Sequence, residues 1–111
     1  MVCFVLYAVH TLNLHSKHCD TYTFSLIGSV YNELGLTYSQ CHEFPRAATC
    51  FETALPLIRG PSGDRKQEAI ILQNLGAVYN SLGDYQRALG FHESAAELHG
   101  KSKLQIMNNP N

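Results

Sequence analysis

The side chains with the most chemical potential in this sequence are histidines and cysteines. "HSKHC", His15 to Cys19, sets two imidazoles and a thiol within five residues, and Cys41 with His42 adds two further donors of the types that bind zinc. Zinc sites favour paired ligands on tight turns, however, and no second pair here repeats the first spacing. The segment reads as a polar connector, and no metal is expected. A Cys–His hydrolase has even less behind it. With Cys3, Cys19, Cys41, Cys50 and six histidines the nucleophile and base types are present, yet no motif sets one against another and no third residue orients them. Cys50 falls at a core position of the pattern described below. No catalytic residue is assigned, and no enzyme activity is expected.

Glycine offers a second chemistry. "NLGAVYNSLGDYQRAL", Asn74 to Leu89, carries two Leu-Gly pairs seven residues apart. A phosphate-binding loop needs its glycines on a strand-to-helix turn, followed by Lys and then Ser or Thr. This stretch has neither the strand nor the lysine, so no nucleotide or other cofactor is expected. The glycines require a structural explanation instead.

Composition narrows the function classes further. The chain has 111 residues, enough for one domain or a fragment of one with a real core. Eight Lys plus Arg against nine Asp plus Glu leave a formal net charge of −1, so no basic surface points to nucleic acid. Four cysteines without CxxC or scaffold spacing suggest free thiols in a reducing compartment. The opening run "MVCFVLYAVHTLNL" is apolar, but it lacks a basic start and a small-residue cleavage site. Interrupted by His10 and Asn13, it also falls short of the roughly 20 apolar residues a bilayer demands. The expectation is a cytoplasmic protein without a membrane partner.

The elements that position these residues come from an internal repeat. "NELGLTYSQCHEFPRAATCFETAL" from Asn32 aligns without gaps on "QNLGAVYNSLGDYQRALGFHESAA" from Gln73, a shift of 41 residues. Leu34, Gly35, Tyr38, Arg46, Ala47, Glu52 and Ala54 meet Leu75, Gly76, Tyr79, Arg87, Ala88, Glu93 and Ala95. Each unit reads as two helices. Ile71, Leu72, Leu75, Val78 and Tyr79 keep helical spacing, and Asp64 with Gln67 forms a plausible capping box, predicting a helix from about Asp64 to Leu82. Gly83 closes it and Asp84 caps the next, so the two helices run antiparallel. The first unit predicts helices from about Thr21 to Gln40 and Phe44 to Ile58, with Pro45 tolerated in a first turn and Pro56 bending or ending a last one. The expected fold class is all-α, antiparallel helical hairpins stacked as a short α-solenoid. Its expected parts are an N-terminal apolar helix and connector over 1–20, hairpins over 21–60 and 61–102, and over 103–111 a tail or the start of a truncated third repeat.

The spacing Leu-Gly-x-x-Tyr, then Ala, an aromatic and Ala, resembles the tetratricopeptide repeat family. Its carriers are Tyr31, Leu34, Gly35, Tyr38, Ala47, Phe51 and Ala54, then Leu72, Leu75, Gly76, Tyr79, Ala88, Phe91 or His92, and Ala95. The family unit has about 34 residues, and the 41-residue period here resembles its longer-period branch, which includes kinesin light chains. In physical terms Gly35 and Gly76 admit a neighbouring helix, the four alanines thin the crossings, and Tyr and Phe fill the remaining space.

The resemblance implies a protein or peptide partner held in a concave groove lined by the first helix of each unit. The matching positions are Ser29, Asn32, Glu33, Leu36, Ser39 and Gln40, then Ile70, Gln73, Asn74, Ala77, Asn80 and Ser81. Asn74 matches the asparagine with which family members grip a peptide backbone, since an amide both donates and accepts. The plainer alternative is a solvated groove residue. No Lys or Arg stands where chaperone-tail binders clamp a carboxylate, so no such clamp is expected; the groove is polar-neutral with apolar patches at Leu36, Ile70 and Ala77, suited to a peptide's backbone and small side chains, and Glu33 offers a contact to basic ligand residues. The alternative function is a structural helical domain that associates with a copy of itself, with metal binding third. Val2, Val5, Leu6, Val9 and Leu12 are expected to form a covering helix, a strand being the weaker option. Because two units are few for a solenoid, either a longer array or homo-association is expected.

Overall fold

Local signals start and stop each helix. The computed structural model describes residues 21–59 and 64–107, and the side chains of 23–59 and 64–100. These form α1 (Thr21–Gln40), α2 (Phe44–Ile58), α3 (Arg65–Leu82) and α4 (Tyr85–Met107), with no strand among the described residues. The proposed covering helix, Cys3 and the His15–Cys19 cluster lie outside them. The boundary expected at residue 102 falls inside α4, which continues to Met107.

Asp64 caps α3 by accepting from the Lys66 amide at 2.9 Å. The reciprocal half of the expected capping box does not form: the Gln67 side-chain oxygen lies 3.1 Å from the Ser29 hydroxyl of α1, whose proton it shares with the Ser25 carbonyl at 3.0 Å. A bond between the hairpins has replaced one within the cap. At the far end Gly83 takes the left-handed conformation, φ 84°, and donates to the Asn80 and Tyr79 carbonyls. Asp84 then accepts from the Arg87 amide at 3.3 Å to open α4. In the first hairpin His42 stands at the counterpart of Gly83 and is also left-handed, φ 61°, which costs a residue with a Cβ roughly 1–2 kcal/mol. Pro45 lies in the first turn of α2, and Pro56 deprives the Glu52 carbonyl of a partner shortly before the helix ends at Ile58.

The helices pack as two antiparallel hairpins, α1 on α2 and α3 on α4, joined through α2 and α3, with a lighter contact between α1 and α3. Ala47, Ala54, Ala88 and Ala95 are buried at the crossings, and Phe51, Ile58, Ile71, Leu72 and Leu75 fill the centre. Each of these large side chains contributes about 1.5–3 kcal/mol by leaving water. A Cβ on Gly35 would stand 2.6 Å from the Phe51 ring, so the missing side chain is what lets that ring approach α1 so closely. At Gly76 the occupant is His92, also at 2.6 Å. Of the two aromatic positions left open by the spacing, His92 is therefore the counterpart of Phe51. Phe91 instead stacks on Tyr79, with ring centroids 5.5 Å apart.

Candidate functional site

The first helices of the two hairpins meet along one face. The Asn74 side-chain amide donates to Asn32 Oδ1 at 2.9 Å, and both residues are half-buried. Beside this pair lies a pocket of about 130 Å³ lined by Leu36 and Ser39 of α1, Asn74, Ala77, Val78 and Ser81 of α3, and Phe44 and Phe51 of α2. Its walls are mostly apolar and none is charged. Its volume is in the range that admits a benzene-sized group.

Three polar side chains break the apolar lining. Ser81 returns its hydroxyl to the Ala77 carbonyl at 3.1 Å. Ser39 makes no such bond: its Oγ is shielded and has no hydrogen-bond partner. Asn74 spends one N–H on Asn32 and keeps further donor and acceptor capacity. The pocket therefore combines an apolar wall with a hydroxyl and an oriented amide.

Of the expected groove residues, the structure brings Asn32, Leu36, Ser39, Asn74, Ala77 and Ser81 together. Glu33, Gln40, Ile70, Gln73 and Asn80 are exposed and do not line this pocket. Gln73 turns toward α4, where its amide nitrogen lies 3.5 Å from a ring nitrogen of His99. Ser29 points to Gln67. Phe44, Phe51 and Val78 were not among the expected groove residues, since the repeat and helical spacing marks Phe51 and Val78 as packing and carries no signal for Phe44. Only the crossing of three helices makes them pocket walls.

Other titratable groups serve structure. Burial pushes the Cys50 thiol above its ordinary range, consistent with a core position. Cys41 is an exposed free thiol. No three His, Cys, Asp or Glu side chains gather in a metal-binding arrangement among the described residues. No described helix is long and apolar enough to cross a membrane.

Comparison with known proteins addresses the repeat directly. The family model described as tetratricopeptide repeat matches residues 26–101, more than half of the chain. The chain belongs to the tetratricopeptide repeat family. A tetratricopeptide hairpin pair is thus what places Asn74 beside Leu36. The chain is 37% identical over 71 residues to the 43 kDa receptor-associated protein of the synapse from Tetronarce californica, covering 64% of this chain and 17% of that protein. The crystal structure of BtubC (BKLC) from P. vanneervenii superposes with a TM-score of 0.65 at 30% identity, covering 69% of this chain and 32% of that one. The chain thus spans less than a third of either relative's length.

Proposed function

We propose that this tetratricopeptide module holds a peptide segment of a protein partner in the groove between α1 and α3, and that it carries no catalytic chemistry of its own. The observation that supports this best is Asn74, fixed by Asn32 on the wall of an uncharged, mostly apolar pocket. A bound segment places an aliphatic side chain against Leu36, Phe51 and Val78, while its main chain meets Asn74. Glu33, exposed on α1, favours basic residues on the same segment.

The name of the receptor-associated relative is in keeping with such a scaffold role. Within the family, "ALPL" and "LGDYQRALGFHESAAELHG" resemble tetratricopeptide repeat protein 24. The proposed setting is the cytoplasm, where unpaired thiols such as Cys41 and Cys50 persist. A pull-down with wild type and Asn74→Ala in parallel tests the groove. Proteins retained by wild type and lost with the variant support the reading. An identical set retained by both removes Asn74 from it.

A further inference from the structure

Gln67, Ile70, Asn74, Ala77 and Ser81 follow one another on α3 at helical spacings of three and four, so they share one stripe of its surface. Contacts fix where that stripe faces. At its start the Gln67 side-chain oxygen meets the Ser29 hydroxyl of α1, and further along Asn74 donates to Asn32 of α1. At its end Ala77 and Ser81 line the pocket. Ile70 falls between the first two contacts and therefore stands on the groove face, one turn before Asn74 and on the side away from the pocket. It is 47% exposed, an aliphatic side chain that the core does not use.

The groove thus carries two apolar positions with an amide between them, and their separation constrains what lies along it. Ile70 precedes Ala77 by two helical turns, roughly 11 Å along the axis. Its side chain leans toward the start of α3, which lengthens the span to the pocket. An extended chain sets residues i and i+4 on the same side about 13 Å apart, whereas i and i+2 are only about 7 Å apart. A helical ligand would match the span with i and i+7, but its own helix occupies its amides and carbonyls. The remaining N–H and the oxygen of Asn74 would then find no main chain to bind.

Charge adds a position between the two apolar ones. Glu33 follows Asn32, the acceptor of the amide pair, so it lies level with Asn74, and it has no ion-pair partner among the described residues. Lys66 lies one turn before Ile70 and disfavours a second cation at that end.

We propose, resting on the peptide-groove reading above, that the bound segment is extended and carries two aliphatic residues four apart, one in the pocket and one on Ile70. The residue midway between them is Lys or Arg, held by Glu33, while the main chain on either side meets Asn74. Ile70 is thereby the residue that sets the register of the partner.

A random peptide library selected on the immobilised wild-type chain supplies the probe, and calorimetry compares an enriched peptide on wild type, Ile70→Ser, Glu33→Gln and Ala77→Arg. Enriched sequences should align on two aliphatic residues four apart with a basic residue between. Ile70→Ser should weaken binding about tenfold, and the loss should shrink to under about twofold once the aliphatic residue facing Ile70 is replaced by serine in the peptide. Glu33→Gln should weaken it about threefold, a loss that high salt erases. Circular dichroism confirms that each variant is folded. A peptide weakened by Ala77→Arg that binds Ile70→Ser as tightly as wild type leaves the groove in place and overturns the two-anchor register. So does a consensus whose aliphatic residues lie seven apart, which marks a helical ligand. A library from which nothing is enriched overturns the groove and this inference together.

Discussion

The Tyr79 hydroxyl of α3 donates to the Glu52 carboxylate of α2, tying the second hairpin to the first. The Arg87 guanidinium lies over the same ring, 5.4 Å from its centroid. The bond to Glu52, then burial, raise the Tyr79 phenol above its ordinary value, with Arg87 opposing. The folded state therefore prefers the neutral phenol. This contribution is complete below the unfolded phenol value of about 10 and is lost as pH rises through the higher folded value. Wild type should lose thermal stability above about pH 10 more steeply than Tyr79→Phe, which at neutral pH should be less stable by about 1 kcal/mol. Parallel alkaline slopes in melting curves of the two proteins would remove Tyr79 from the joint's energetics.

Glycine 35 and glycine 76 should respond differently to alanine. Phe51, the ring a Cβ on Gly35 would strike, is enclosed, whereas His92 opposite Gly76 is exposed and free to swing away. Gly35→Ala should cost about 1–2 kcal/mol after the gain in helix propensity. Gly76→Ala should lie within about 0.5 kcal/mol of wild type, because propensity offsets the displaced imidazole. Urea denaturation of both variants makes the comparison, and equal losses would contradict this packing account.

His42 holds a left-handed conformation where the second hairpin has Gly83. Replacement by glycine removes the Cβ penalty but adds freedom to the unfolded chain, and it gives up the edge contact with Phe44 at 5.8 Å. His42→Gly should raise stability by up to about 1 kcal/mol. A lowered melting temperature would show that the Phe44 contact outweighs the strain.

The Asn32–Asn74 pair makes the groove a shared product of both hairpins. A double-mutant cycle with Asn32→Ala and Asn74→Ala should give a coupling of about 0.5–1.5 kcal/mol in unfolding free energy. Additive losses would mean that the two amides do not depend on each other.

Much of this was legible in the sequence because repetition acts as its own control. Leu34 with Leu75 and Ala47 with Ala88 fixed the register of both hairpins, and Pro45, Gly83 and Asp84 marked where helices begin and end. The capping box at Asp64 was half right. Gln67 is drawn away by Ser29, a residue 38 positions earlier, and no local rule sees a partner at that distance. The groove was legible only as a helix face. The resemblance to the repeat family put Leu36, Asn74 and Ala77 on it, but which residues converge depends on where α1, α2 and α3 cross, so Phe44, Phe51 and Val78 entered the pocket unannounced and Gln73 left for His99. The identity of the aromatic over Gly76 had the same origin: Phe91 and His92 are both candidates by type, and only packing separates them.

The most direct test of the groove is made at Ala77, which lines the pocket yet is exposed, so a larger side chain there fills the pocket from outside the core. A random peptide library is selected on the immobilised wild-type chain, and an enriched peptide is titrated by calorimetry against wild type and Ala77→Arg. The account predicts enrichment of peptides with an aliphatic anchor near basic residues, and binding weakened at least about tenfold, or 1.4 kcal/mol, by the substitution. An enriched peptide that binds both proteins equally, or a library from which none is enriched, would contradict it.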